Sequence, residues 1–238
     1  MQGRIELPPR LLAVAEYIPA GTCVVDIGTD HGYLPVFVVA SGKCPRAIAA
    51  DVGEGPLASA KRHIEEAGLT DRVETRLSDG LDAFCPEEVS CVVMAGMGGY
   101  LIAELLERSS RQGKLKSCAA LVLQPQSETD RVRLMLHEIG FRLEAERMAE
   151  DRGKRYTVLL AVPGREKYGP EEYVYGRKLW QARDPVFFEA LREDREKLSG
   201  IIEGLSEKEE SNRKTKRIQE LKIRLEQAER MLAEWDIR

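Results

Sequence analysis

The run Val24-Val25-Asp26-Ile27-Gly28-Thr29-Asp30-His31-Gly32-Tyr33-Leu34-Pro35 places two carboxylates, an imidazole and a phenol in one glycine-bearing turn. An acid in such a turn can take a proton or hold a cation, and an aromatic ring can stack on a flat ligand. Gly28 and Gly32 let backbone amides come close to a bound group, and Asp26 at the strand end can orient the loop. Turns of this kind, at the carboxyl edge of a parallel sheet, form nucleoside-cofactor sites.

A dinucleotide site would need G-x-G-x-x-G so that a pyrophosphate can sit on the helix N-terminus. Asp30 replaces the middle glycine, and its carboxylate would repel a pyrophosphate while favouring a sulfonium or an amino group. That disfavours a nicotinamide dehydrogenase and indicates S-adenosylmethionine, which carries both cations and no phosphate. Asp51 lies about where an acid meets ribose hydroxyls in such folds. Ser78-Asp79-Gly80 offers an acceptor for the adenine amino group, and Ala95-Gly96-Met97-Gly98-Gly99 leaves room for a flat substrate. Any one of these turns can serve turn geometry alone. Four of them along one sheet edge point to a methyltransferase-like site, with Asp26, Gly28, Gly32, Asp51, Asp79, Gly80 and Gly96 on its cofactor side.

The elements that must carry these residues alternate. Strands are expected at 24–27, 48–52, 73–77, 89–95 and 119–123, the last two as continuous apolar runs of doubly buried strands. Helices are expected at 8–18, started by Pro8 and Pro9, and at 35–41, 56–67, 100–108 and 129–139. Segments 141–148 and 156–162 read as a terminal antiparallel hairpin. The fold class is therefore α/β, a Rossmann-like doubly wound sheet of the class I methyltransferase kind.

After Pro163 the charge density rises, and two apolar series alternate steps of three and four. They run Phe187, Leu191, Leu198, Ile201, Leu205 and Ile218, Leu221, Leu225, Ala228, Leu232, Trp235, with Asp194 filling one seam position. Segment 206–216 between them is polar. An antiparallel coiled-coil hairpin fits better than one continuous helix, because no apolar seam crosses the middle. The expected domains are 1–163, binding the cofactor, and 164–238, the C-terminal coiled coil.

A net charge of −4 over 238 residues does not announce nucleic-acid binding, though it permits a local basic face. No apolar stretch is long enough for a membrane span, and no signal-peptide core is visible at the N-terminus. Five cysteines without C-x-x-C spacing and three scattered histidines argue for reduced thiols in a cytoplasmic protein, with no metal site.

The D-I-G-T-D-H-G-Y-L-P segment, the acids Asp51 and Asp79, the A-G-M-G-G loop and Leu123-Gln124-Pro125 resemble the bacterial tRNA (adenine-22-N1)-methyltransferases of the TrmK type. The resemblance extends through the C-terminal coiled coil, so it covers nearly the whole chain. Gln126 departs from it, standing where an Asn is expected. The resemblance implies methylation of adenine N1 in tRNA, with Asp30 matching the family's proposed catalytic aspartate. A carboxylate there can accept a hydrogen bond from the exocyclic amine and stabilise charge growing on the ring. The alternative role for Asp30 is to hold the amino group of the cofactor's methionine.

On the substrate side stand His31, Tyr33, Met97, Gly98, Gln124, Gln126 and Arg10. His31 either stacks, tunes Asp30 or is structural; Tyr33 either stacks on adenine or enters the core. Candidate phosphate contacts are Arg4, Arg10, Arg131, Arg133, the Arg152, Lys154, Arg155 group, and Arg213, Lys214, Lys216 and Arg217 at the hairpin tip. The expected partner is tRNA and the expected state a monomer or weak homo-oligomer. Competing readings are a methyltransferase for a small molecule or protein, and a noncatalytic RNA-binding scaffold.

Overall fold

The computed structural model describes residues 6–88, 90–206 and 212–236. Arg4, Val89 and the side chain of Arg213 lie outside what is described. The chain divides into two compact units, Met1–Lys167 and Tyr168–Arg238.

In the first unit the order is α1 (Pro9–Tyr17), β1 (Cys23–Ile27), α2 (Tyr33–Ala40), β2 (Arg46–Asp51), α3 (Glu54–Glu66), β3 (Val73–Leu77), β4 (Cys91–Met97), α4 (Gly99–Arg111), β5 (Ala120–Pro125), α5 (Thr129–Glu138), β6 (Phe141–Asp151) and β7 (Lys154–Pro163). The seven strands form one sheet in the order β3-β2-β1-β4-β5-β7-β6. The first five are parallel, and β7 inserts antiparallel between β5 and β6. The strand order reverses beside β1, where β2 leaves to one side and β4 to the other. Such a switch point opens a crevice at the carboxyl ends of the strands.

Local chemistry explains the elements. Val24, Val25, Val92 and Val93 are fully buried, as β-branched residues of central strands covered on both faces should be. Helix α2 is apolar nearly all round and buries Leu34, Val36, Val38 and Val39 against the sheet. The β6–β7 hairpin turns through Arg152 and Gly153, both with positive φ, the primed geometry that matches strand twist. The hairpin strands extend beyond the expected segments, because each continues pairing to Asp151 opposite Lys154 at that turn.

The second unit holds α6 (Pro170–Tyr175), α7 (Arg177–Gln181), α8 (Pro185–Ser206) and α9 (Asn212–Asp236). The first two are additions to the expected pattern, too short to show a 3.6-residue period. Their signals are capping ones: Pro170 opens α6, Glu172 accepts the Gly169 N–H at 2.6 Å, and Gly176 separates the helices. Asp184 caps α8 by accepting the Val186 and Phe187 N–H groups.

Helices α8 and α9 run against each other. Phe188 near the start of one stacks on Trp235 near the end of the other, with ring centres 4.6 Å apart. Asp194, the polar residue in the apolar series, pairs with Arg224 at 3.2 Å and accepts the Tyr175 hydroxyl. Leu191, Leu198, Leu221, Ala228 and Leu232 are buried, but Ile201 is exposed and the neighbouring Ile202 is half-buried. Lys214, Lys216 and Arg217 belong to the first turns of α9 rather than to a connecting loop.

Candidate active site

The turn after β1 is held by the neighbouring strand. The Gly28 and Thr29 N–H groups both donate to the Ala50 carbonyl of β2, and Gly32 N–H closes the turn on the Thr29 carbonyl. Gly28, Asp30 and Gly32 all have positive φ, so the loop is left-handed at alternate positions. For Asp30 that conformation is unusual, and among non-glycine residues aspartate tolerates it better than most. Gly32 is required for a second reason: a Cβ there would lie 3.0 Å from Ala60 Cβ of α3.

Three carboxylates gather at this corner in different states. Asp26 is buried and accepts the Thr29 hydroxyl at 2.8 Å. Burial pushes its carboxyl up to about 7, with the Asp51 charge adding to the rise and the Thr29 bond opposing it. Asp51 ends β2 and bridges two loops, accepting Gly53 N–H at 2.9 Å and, weakly at 3.4 Å, Asp30 N–H. The Asp30 side chain is 71% exposed, with His31 Nε2 3.4 Å away. The most open carboxylate is thus the one nearest the aromatic residues.

The A-G-M-G-G loop closes the other side. Met97 sits against Gly28, its sulfur 3.5 Å from where a Cβ would be. Gly98 caps α4, and Gly99 lies so close to the Ser127 and Glu128 carbonyls that no side chain fits. Gly96 has φ +79 and approaches Arg10 and Gln126. Gln124 is wholly buried: its Oε1 accepts from Gly96 N–H at 3.1 Å and Arg10 Nη1 at 2.6 Å, and its Nε2 donates to the Pro125 carbonyl. Its amide is committed to the protein, so Gln124 shapes the loop and has no free edge to read a base. Gln126 is exposed beside it, tied only through its backbone N–H to the Met97 carbonyl in this network.

Farther along the edge, Asp79 is gripped by Arg108 of α4 at 2.8 Å, which holds its carboxyl below the ordinary range. Gly80 follows with φ +58, and a Cβ there would meet Leu105 at 2.9 Å. Arg108 was not legible as a site residue, since nothing in its helix spacing marks it as reaching β3. His63 was missed too. It donates from Nδ1 to the His31 carbonyl at 2.8 Å and stacks on Tyr33.

Among the phosphate candidates, Arg133 is corrected outright. It is buried and paired with Glu146 at 2.6 Å, because α5 packs that face on β6. Arg131 is exposed, Arg152 lies within the β6–β7 turn and Lys154 begins β7 after it. Among the described residues no group of His, Cys, Asp and Glu is arranged to hold a metal ion, and no helix is long and apolar enough to cross a membrane.

The family model for TrmK, tRNA (adenine(22)-N(1))-methyltransferase, matches residues 24–230. A Bacillus subtilis protein named tRNA (adenine(22)-N(1))-methyltransferase is 33% identical over 228 residues, 93% of this chain and 95% of that one. The crystal structure of the B. subtilis m1A22 tRNA methyltransferase TrmK superposes with a TM-score of 0.88 at 32% identity, covering 96% of this chain and 99% of the other. A Streptococcus pneumoniae protein solved in complex with S-adenosyl-L-methionine gives 0.85 at 34% identity, covering 95% and 100%. Sequence and overall fold agree over almost the full length, and the chain belongs to the TrmK family of tRNA (adenine(22)-N(1))-methyltransferases.

Proposed function

We propose that this chain transfers a methyl group from S-adenosylmethionine to N1 of an adenine in tRNA, at the position-22 site for which its family is named. One observation supports it most. Of the six large apolar side chains exposed among the described residues of the first unit, five (Tyr33, Val52, Leu77, Tyr100 and Leu101) lie at or after the carboxyl ends of β1 to β4, the sixth being Leu12 on α1. Exposed apolar groups rimming a row of carboxylates suit a flat, cationic nucleoside and a flat base.

The residues present fit the cofactor. Asp51 and Asp79 and the left-handed glycines Gly28 and Gly96 would hold it, Asp51 at the ribose hydroxyls, Asp79 at the adenine end and the close-approach glycines under the rest, while buried Asp26 shapes the turn through its bond to Thr29. When bound, it supplies a methyl group that a ring nitrogen can attack in line. Asp30 then faces the acceptor. Its carboxylate accepts a hydrogen bond from the exocyclic amine, offsets the positive charge arriving at the ring and takes the amine proton. Arg10, held by Gln124 beside Gly96, and exposed Gln126 stand on the base side of the loop, with Met97 and Gly98 forming its floor.

In this reading residues 1–163 carry the chemistry. Residues 164–238 form an antiparallel coiled-coil hairpin that engages folded RNA, with Lys214, Lys216 and Arg217 as phosphate contacts. The protein works in the cytoplasm as a monomer or weak homo-oligomer. The target base must leave its stack to reach the edge.

The test is transfer of labelled methyl to an unmodified tRNA transcript, followed by identification of the nucleoside by mass. N1-methyladenosine at position 22, lost in Asp30→Ala with cofactor affinity kept, is the expected result. Joint loss of cofactor affinity would instead make Asp30 a cofactor ligand, and no incorporation would overturn the reading.

A further inference from the structure

His31, Tyr33 and His63 form a cluster of rings beside Asp30. His63 lies on α3, away from the motif in sequence. Its ring is stacked on Tyr33, with centres 4.8 Å apart and planes inclined by 25°. The His31 ring is 5.6 Å from Tyr33 and 6.0 Å from His63, and its Nε2 is 3.4 Å from Asp30 Oδ1. Tyr33 opens α2 and is 44% exposed, so its χ angles are not fixed by core packing.

We propose that His63 is a positioning residue for the methyl-accepting adenine, holding the Tyr33 ring as a stacking surface next to the Asp30 carboxylate. This rests on the adenine-N1 reading above. Two independent contacts give His63 that leverage. Its Nδ1–H donates to the His31 carbonyl at 2.8 Å, which ties α3 to the backbone of the turn that bears Asp30. One helical turn earlier, Ala60 packs where a Cβ of Gly32 would clash, at 3.0 Å. Helix α3 therefore docks on the turn through Ala60 and His63, residues three apart on one helix face.

The consequence is geometric. His63 covers part of the Tyr33 ring and sets its plane, so the solvent-facing part is pre-oriented for a purine. Stacking on an aromatic side chain needs no particular base; the neighbouring carboxylate adds the preference for an amine donor. Without His63 the phenol samples other rotamers, and ordering it must be done at the expense of substrate binding.

The experiment compares wild type, His63→Ala, His63→Phe, Tyr33→Ala and the His63→Ala/Tyr33→Ala double variant. Methylation of an unmodified tRNA transcript is followed at saturating S-adenosylmethionine, with cofactor Kd and Tm measured in parallel. The expected result is a loss of about tenfold in kcat/KM for tRNA in His63→Ala, with cofactor Kd changed by less than about twofold. His63→Phe, which keeps a stacking ring, recovers most of that loss. On the Tyr33→Ala background, His63→Ala costs little more. Unchanged kcat/KM in His63→Ala overturns the inference, as do additive losses in the double variant. A parallel fall of Tm, cofactor affinity and kcat/KM that Phe does not rescue overturns it too, by making His63 merely structural. Failure of the wild type to methylate the transcript would overturn the adenine-N1 reading itself, and this inference with it.

Discussion

Arg10 Nη1 lies 2.6 Å from Gln124 Oε1, joining α1 to the end of β5 across 114 residues of sequence. The same oxygen accepts Gly96 N–H, so one buried amide sets the position of both the guanidinium and the glycine loop. Gln124→Leu leaves the half-buried Gly96 N–H and the Arg10 guanidinium without their acceptor. Each buried polar group left unsatisfied costs about 1–3 kcal/mol. A lowered Tm accompanied by loss of methyl transfer is expected, while Gln126→Ala leaves Tm unchanged and weakens tRNA methylation only. Thermal melts and steady-state assays on the two variants check this.

Asp26 makes stability depend on pH with a definite sign. Its folded value of about 7 lies above its ordinary 3.8, so between those limits the folded state keeps a proton that the unfolded chain releases. The contribution is fully present below pH 3.8 and is lost as pH rises through 7. The loss is on the order of 4 kcal/mol across the window. Asp26→Asn, with an uncharged amide that still accepts from Thr29, removes this slope. Urea unfolding at pH 5 and pH 8 should show the variant gaining on the wild type at the higher pH; equal slopes would contradict the assignment.

Arg133 and Glu146 are a buried ion pair, with side chains 2% and 0% exposed. Removing one partner strands a charge in the interior, which costs about 3–5 kcal/mol. Glu146→Leu is therefore expected to lower the urea midpoint sharply. Arg131→Ala, at an exposed position on the same helix, leaves it unchanged. If Arg131 contacts phosphate, the dependence of tRNA binding on salt becomes shallower by about one unit in that variant.

Gly99 begins α4 against two backbone carbonyls, those of Ser127 and Glu128. Overpacking against backbone costs about 1–3 kcal/mol or more, since backbone cannot rotate away. Gly99→Ala should reduce soluble yield and Tm, whereas Gly55→Ala, at a glycine with open space around it in α3, should raise Tm slightly. Melting curves of the two variants separate steric need from chance glycine usage.

The sequence by itself determined the alternation of strands and helices, the glycine turn and the row of acids, because each is a local pattern. Buried parallel strands read as unbroken apolar runs, and the left-handed turn at Gly28 and Gly32 is written in residue type. Short helices α6 and α7 escaped because two turns hold no period, and Ile201 was misplaced because its series drifts by one position near the end of α8. What each acid does was decided only by tertiary structure. Asp26, Asp30 and Asp79 look alike in sequence, yet one is buried and protonatable, one is open, and one is gripped by an arginine from α4. Likewise His63 and Gln124 gained their roles from the packing of α3 and β5 against loops far away in the chain. Hydrogen bonding and burial depend on neighbours brought together by the sheet, and no spacing along the chain encodes them.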